Sequence, residues 1–301
     1  MTIVDTYWGD CRLGGQSGDC SATQASKSLA VGIDMGSATV KAVVLDIDRR
    51  GFSWSVARMT TEGEKLARGV LERLLQRNAL HLDDVGYVVA TGYGRFNVGF
   101  AQEGITEISC LGRGMGCIAP QARTVLDIGG QDCKVIRLSS EGRIVKFEMN
   151  DKCAAGTGRY LERIARALDV KLGETGPLSL QARRIEVVSS LCTVFAEREV
   201  LQLLRSGKNR PDILAGAFAS LARQTASLVR KVGIEEPFYV VGGVAMNSGV
   251  VKAIGENLGV VVKSVDTPQV VSALGAALFA SERLLDAQPA SSADNRRKEK
   301  P

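Results

Sequence analysis

The stretch DMGSATVK at residues 34–41 indicates the fold, because the chain repeats its pattern as DIGGQDCK at residues 127–134. Both copies read Asp-x-Gly-x-x-x-x-Lys, and each copy lies between two apolar stretches that favour β-strands. A glycine turn between two such stretches predicts a β-hairpin, which this chain uses twice. Two equivalent hairpins that face each other would clamp a polyphosphate between two lobes.

The residue types in these two turns suit phosphate binding. Glycine lets the backbone approach phosphate oxygens, while exposed N–H groups and hydroxyls donate hydrogen bonds to them. Asp34 and Asp127 would hold Mg²⁺, usually through water, and Gln131 or Asp132 would orient an attacking water. Either turn alone is equally typical of an ordinary tight hairpin, so the argument rests on the matching pair. The turn residues predicted to bind the nucleotide are Gly36, Ser37, Ala38, Thr39, Lys41, Gly129, Gly130 and Asp132.

A third glycine turn, VVGGVAMN at residues 240–247, lies between a predicted strand and a predicted helix. Its bare backbone would let a flat base and ribose approach closely. In this order, the three elements resemble the acetate and sugar kinase, heat-shock protein 70 and actin superfamily. The resemblance covers residues 29–285 and implies an α/β fold of two ribonuclease-H-like lobes with ATP in the cleft. The residues predicted to bind the nucleotide in the third turn are Gly242, Gly243, Val244 and Asn247.

The resemblance also implies a division of the chain. Apolar spacing predicts helices at residues 61–78, 157–168, 193–206, 212–232, 248–258 and 269–285. We expect a flexible leader at 1–28, a first lobe at 29–120 that the helix at 269–285 completes, a second lobe at 121–268, and a disordered tail at 286–301.

Composition excludes several classes of protein. The chain has 301 residues, of which 45% are hydrophobic and 24% charged, as in ordinary globular proteins. A net charge of +5, with Lys and Arg scattered along the chain, does not indicate nucleic-acid binding. No apolar run is long enough to cross a bilayer, and residues 1–28 contain no signal peptide. We therefore expect a cytoplasmic protein.

Two cysteines lie in loops that precede predicted helices: NDKCAAGTG at residues 150–158 and SSLCTVFAE at residues 189–197. Together with DIGGQD at residues 127–132, these loops closely resemble the family of 2-hydroxyacyl-CoA dehydratase activators and benzoyl-CoA reductase ATPase subunits. The resemblance implies one [4Fe-4S] cluster at a dimer interface, held by Cys153 and Cys192 of each chain. A four-iron cluster needs four thiolates, so two cysteines per chain suffice only where two chains meet.

The resemblance therefore predicts an ATP-driven electron activator in a homodimer or heterodimer. It would take an electron from a ferredoxin-type donor and pass it to an acyl-CoA reductase or dehydratase. Arg outnumbers Lys, which weakly indicates a GC-rich genome and narrowly favours the benzoyl-CoA reductase over the alternative, a 2-hydroxyacyl-CoA dehydratase. A small-molecule kinase of the same fold and a non-catalytic, actin-like scaffold remain more remote alternatives.

Overall fold

The computed structural model describes residues 3–10, 28–48, 51–150, 153–189 and 192–287, which form two β-sheets with helices packed on them. The strands are β1 Ile3–Asp10, β2 Leu29–Met35, β3 Thr39–Asp46, β4 Gly51–Arg58, β5 Val85–Thr91, β6 Glu103–Gly104, β7 Thr124–Ile128, β8 Cys133–Leu138, β9 Ile144–Asn150, β10 Phe238–Val241 and β11 Val262–Lys263. The helices are α1 Gly63–Arg77, α2 Glu107–Ile118, α3 Gly158–Ala167, α4 Leu172–Ser179, α5 Thr193–Arg205, α6 Arg210–Val232, α7 Ser248–Leu258 and α8 Val271–Ala287.

The two sheets share one local topology. The first has the strand order β1-β4-β3-β2-β5-β6, and the second has the order β11-β10-β7-β8-β9. In each sheet an antiparallel hairpin, β2-β3 or β7-β8, pairs through its first strand with a later parallel strand, β5 or β10. This repetition confirms the predicted α/β fold of two lobes.

The register of each hairpin sets the aspartate directly opposite the lysine of the repeated motif. Asp34 pairs with Lys41 across β2 and β3, and Asp127 pairs with Lys134 across β7 and β8. Side chains of opposed residues lie on the same face of a sheet. Each motif therefore brings one carboxylate and one ammonium group together at the end of its hairpin.

A glycine with positive φ follows the parallel strand beside each hairpin. Gly92 follows β5 with φ +87°, and Gly242 follows β10 with φ +85°. A Cβ at Gly92 would lie 2.4 Å from the Asp34 carboxylate, and a Cβ at Gly242 would lie 2.3 Å from the Asp127 carboxylate. The repeat therefore extends beyond the hairpins, because each aspartate needs a glycine backbone turn against it.

Helices α2 and α8 join the two lobes. Helix α8 packs on β2, β3 and β5 and also contacts α2. Leu111 and Met115 of α2 and Val271 of α8 belong to the same buried cluster as Val125 and Ile136 of the second sheet. Helix α8 thus follows the second sheet in the chain but packs on the first sheet. Together, α2 and α8 connect the two lobes.

Sequence analysis did not predict α2 and α4, because both helices contain residues that usually interrupt helices. Helix α2 contains glycine at 112, 114 and 116, and α4 contains glycine at 173 and 176 together with Pro177. In α2 the missing side chains allow close packing. A Cβ at Gly114 would lie 2.2 Å from the Val271 carbonyl oxygen of α8.

The chain termini differ from expectation in one respect. Within the segment expected to be a flexible leader, β1 pairs antiparallel with β4 at the edge of the first sheet. Residues 1–2, 11–27 and 288–301, which make up the rest of the expected leader and most of the expected tail, lie outside the described residues. None of the helices in the described ranges combines the length and apolarity that a membrane span requires.

The close approach of α2 and α8 predicts opposite effects of two alanine substitutions. Gly114→Ala forces a methyl group against the Val271 carbonyl, so we expect the free energy of unfolding to fall by about 1–3 kcal/mol. Gly116→Ala is the matched control, because a Cβ there would meet nothing within 4 Å. It should leave stability unchanged or raise it by up to about 1 kcal/mol through helix propensity. Urea denaturation of both variants checks this, and equal stability of the two would contradict the packing argument.

Candidate functional site

A cavity of about 440 Å³ lies between the two hairpins and the turn after β10. Its walls include residues from all three predicted glycine turns. Gln131 does not line it and instead borders an adjoining cavity on the side of the first lobe. The predicted site residues that line the first cavity are Asp34, Gly36, Ser37, Ala38, Thr39, Lys41, Asp127, Gly129, Gly130, Asp132, Gly242, Gly243, Val244 and Asn247.

Each hairpin closes with the same backbone hydrogen bond. The Gly36 N–H donates to the Thr39 carbonyl at 3.1 Å, and the Gly129 N–H donates to the Asp132 carbonyl at 2.9 Å. The two turns approach each other closely, since a Cβ at Gly130 would lie 2.5 Å from the Cβ of Ala38. A ligand that contacts one turn therefore also contacts the other.

The charges of the two hairpins differ. Lys41 Nζ lies 2.8 Å from the Asp34 carboxylate. Lys134 is buried and pairs with Asp127, at 3.6 Å, and also with Asp132 and Glu107. Burial opposes the charge of Lys134, but these three carboxylates outweigh burial and raise the pKa of its ammonium group. The second hairpin thus holds one lysine among three acidic side chains.

Burial raises the pKa of Asp127, although the Lys134 ammonium acts in the opposite direction. A buried carboxylate of this kind gains from a cation. Among the described residues, no group of three or more His, Cys, Asp and Glu side chains converges into a complete metal site. Asp34 and Asp127 fit Mg²⁺ only where phosphate oxygens and water supply further ligands, which is the usual arrangement for Mg²⁺ beside a nucleotide.

Glu107 is a candidate site residue that sequence analysis missed. It is the first residue of α2, and the N-cap Thr106 accepts a hydrogen bond from the Ser109 N–H at 3.2 Å. Its carboxylate borders both the nucleotide cavity and the adjoining cavity. Burial raises its pKa, while Lys134 lowers it. The sequence did contain a typical helix start, Thr106 followed by an acidic residue. The glycines of α2 argued against a helix there, so this start was not recognised.

Helix α4, also missed, lines the cavity beside the third turn. Leu172, Gly176 and Pro177 belong to the same cavity wall as Gly242 and its neighbours. Asn247 links the third turn to α4, because its side-chain amide donates to the Thr175 hydroxyl at 2.9 Å. This part of the wall therefore combines apolar side chains with bare glycine backbone.

The four cysteines that the structure records as free thiols fall into two groups. Cys110 and Cys133 are buried; burial raises the pKa of Cys110 to about 12 and raises that of Cys133 as well. Cys153 and Cys192 are exposed. Cys192 is the N-cap residue of α5. Of these four, the exposed pair is therefore the one available to ligate a metal, and exposed apolar side chains near the pair in sequence include Phe147, Met149, Val194 and Phe195.

The Cys153 loop is hydrogen-bonded to the second hairpin. After this loop, the Gly158 N–H donates to the Gly129 carbonyl at 2.9 Å and the Arg159 N–H donates to the Gly130 carbonyl at 2.8 Å. Both carbonyls belong to the glycine turn of the second hairpin. Helix α3, which starts here, is linked to α5 by the Arg163–Glu197 ion pair at 3.1 Å. A displacement of the turn would therefore act directly on the segment that carries the thiol.

Comparison with known proteins agrees with this geometry. The sequence profile of the BadF/BadG/BcrA/BcrD ATPase family matches residues 31–280. The activator of lactoyl-CoA dehydratase from Anaerotignum propionicum is 44% identical over 252 residues, covering 84% of this chain and 97% of the relative. A benzoyl-CoA reductase subunit from Thauera aromatica is 33% identical over 267 residues, covering 85% of this chain and 94% of the relative.

A solved structure of the 2-hydroxyisocaproyl-CoA dehydratase activator from Clostridium difficile, with bound ADPNP, has the same fold. Its TM-score is 0.82 at 40% sequence identity, and the match covers 86% of this chain and 97% of that one. The family profile, the two identities and the shared two-lobed structure all indicate the same group of proteins. The chain belongs to the BadF/BadG/BcrA/BcrD ATPase family.

Proposed function

We propose that this protein hydrolyses ATP to activate a 2-hydroxyacyl-CoA dehydratase by delivering an electron to it. The observation that carries the proposal is the pair of backbone hydrogen bonds from Gly158 and Arg159 to the carbonyls of the glycine turn of the second hairpin. They join the segment that follows the exposed Cys153 to the hairpin expected to bind phosphate.

The dehydratase replaces the benzoyl-CoA reductase that sequence analysis narrowly favoured. The dehydratase activators are 40–44% identical to this chain, whereas the reductase subunit is 33% identical. The excess of Arg over Lys reflects genome composition more than the identity of the partner enzyme. It therefore carries less weight than the difference in sequence identity. The acyl-CoA pocket would belong to the partner enzyme.

In the proposed mechanism, the two hairpins would hold the ATP phosphates between their glycine turns, and Asp34 and Asp127 would hold Mg²⁺. The base would lie beside Gly242 and α4. Glu107 borders the cavity, and a carboxylate with a raised pKa is suited to accept a proton from the attacking water. Lys134 would hold the neighbouring carboxylates in place.

Cys153 and Cys192 would hold a [4Fe-4S] cluster together with the same cysteines of a second chain. Their exposure and free thiols fit this role, and the exposed apolar side chains Phe147 and Phe195, near them in sequence, suit a protein interface. When bound, the cluster supplies one-electron transfer from a ferredoxin-type donor. Driving an electron about 300 mV below ordinary ferredoxin potentials costs about 7 kcal/mol, which explains the need for ATP.

Substitution of Glu107 tests the water-activating role. Glu107→Gln should lower the rate of ATP hydrolysis by about 10²–10⁴-fold, with ATP affinity retained, because the general base is lost. The raised pKa predicts that wild-type hydrolysis falls at acidic pH as Glu107 becomes protonated, at a higher pH than for an ordinary glutamate. The pH profile of the rate should lose this acid limb in the variant. Glu103→Gln, outside both cavities, is the control, and an unchanged rate in Glu107→Gln would exclude the role.

Substitution of the exposed thiols tests the cluster. Anaerobically purified protein should contain about four irons per dimer, and Cys153→Ser or Cys192→Ser should remove iron, visible absorption and part of the dimer. Cys133→Ala should retain all three, since this thiol is buried. Iron analysis, absorption spectra and sedimentation check this. A full complement of iron in Cys192→Ser would refute the assignment.

Substitution of Asp127 separates hydrolysis from cluster assembly. Asp127→Asn removes a carboxylate proposed to organise Mg²⁺, so ATP hydrolysis should fall by about two orders of magnitude or more. The iron content should remain that of the wild type. With a strong reductant present, the variant should not support turnover by the dehydratase. ATP-independent turnover with the wild-type protein would instead favour the kinase or scaffold alternative.

A further inference from the structure

A small cavity of about 270 Å³ adjoins the nucleotide cavity at the outer side of the first hairpin. The two cavities share Ser37 and Ala38 of the hairpin and Glu162 of α3. Two arginines line the small cavity from facing lobes: Arg58 at the end of β4 and Arg159 in the first turn of α3. It is therefore a cationic compartment directly beside the glycine turn of the first hairpin.

Glu162 is bound to both arginines. Its carboxylate lies 2.7 Å from Arg159 and 3.8 Å from Arg58. The Arg58 side chain is 78% exposed and that of Arg159 is 41% exposed, so water weakens both ion pairs and another anion can replace Glu162. The Glu162 carboxylate therefore orients both arginines, and a competing anion can displace it from them.

One hydroxyl group of this cavity lacks a comparable partner. The Ser37 Oγ atom is buried and has no hydrogen-bond partner among the described residues. Thr60 and Thr61 add two more hydroxyls to the lining. Two guanidinium groups and several hydroxyl donors are the groups that bind a tetrahedral dianion, because guanidinium matches phosphate geometry with paired N–H donors.

We propose that this cavity binds the inorganic phosphate released by hydrolysis as it leaves the cleft. The inference rests on the proposed ATP hydrolysis and adds a product site to it. Phosphate passes the Ser37 hydroxyl at the shared wall, displaces Glu162 and binds Arg58 and Arg159. Because these arginines belong to different lobes, bound phosphate bridges the cleft until it departs. Arg159 also donates its N–H to the Gly130 carbonyl, so the site touches the helix start that follows the Cys153 loop.

The test measures the affinity of inorganic phosphate for the ADP-bound protein, from product inhibition and direct titration. The double variant Arg58→Ala/Arg159→Ala should weaken phosphate binding by about tenfold or more, because two charge-assisted contacts are lost. Glu162→Gln should tighten binding several-fold, since it releases both arginines. Arg166→Ala is the matched control, because this exposed arginine lies on the same helix but does not line the cavity, and it should bind phosphate like the wild type.

Acid-quenched single-turnover measurements, run beside a fluorescent sensor of free phosphate, separate bond cleavage from release. Cleavage in every variant, together with altered phosphate affinity in the double variant and in Glu162→Gln, is the expected result. If the double variant cleaves ATP and binds phosphate with wild-type affinity, the phosphate site is refuted while the proposed hydrolysis stands. Absence of cleavage in the wild-type protein would refute the proposed hydrolysis and, with it, the source of the phosphate.

Discussion

The pairing of Asp34 with Lys41 and of Asp127 with Lys134 is the interaction on which the rest of the site depends. A carboxylate in a cleft of this kind is costly unless a positive charge compensates it. In both hairpins that charge lies directly across the ladder. The register is therefore fixed, since a slip by one residue would turn one partner to the opposite face. Correct register in turn points both carboxylates into one cavity.

The two pairs are not equivalent, and their difference gives the cleft its polarity. Lys41 pairs with the carboxylate of Asp34, whereas Lys134 lies among those of Asp127, Asp132 and Glu107. The second hairpin thus carries an excess of negative charge. A divalent cation such as Mg²⁺ would balance part of that excess and would also offset the negative charge of bound phosphates. The arginines outside the first hairpin then provide the positive charge that a departing phosphate needs.

The second hairpin also connects the nucleotide cleft to the exposed cysteines. Its carbonyls accept the first hydrogen bonds of α3, and α3 contacts α5, whose N-cap is Cys192. Helices are stiff, so a small change at a shared terminus displaces a whole element. The arrangement supports a role for phosphate binding in positioning the two thiols. Helices α2 and α8 pack between the two lobes and connect them.

The two-lobed α/β fold, the family and the composition of the three glycine turns could be predicted from the sequence. These features are local, because the motif Asp-x-Gly-x-x-x-x-Lys contains both the turn residues and the two charged residues within eight positions. The folded structure was needed to show that Glu107 borders the cavity, that α4 lines it beside the third turn, and that Gly92 repeats the position of Gly242. Each of these depends on contacts between segments far apart in the chain. The glycines that allow α2 to pack against α8 also prevented prediction of this helix from the sequence. Helix propensity describes an isolated segment and does not include the contacts that stabilise α2 in the fold.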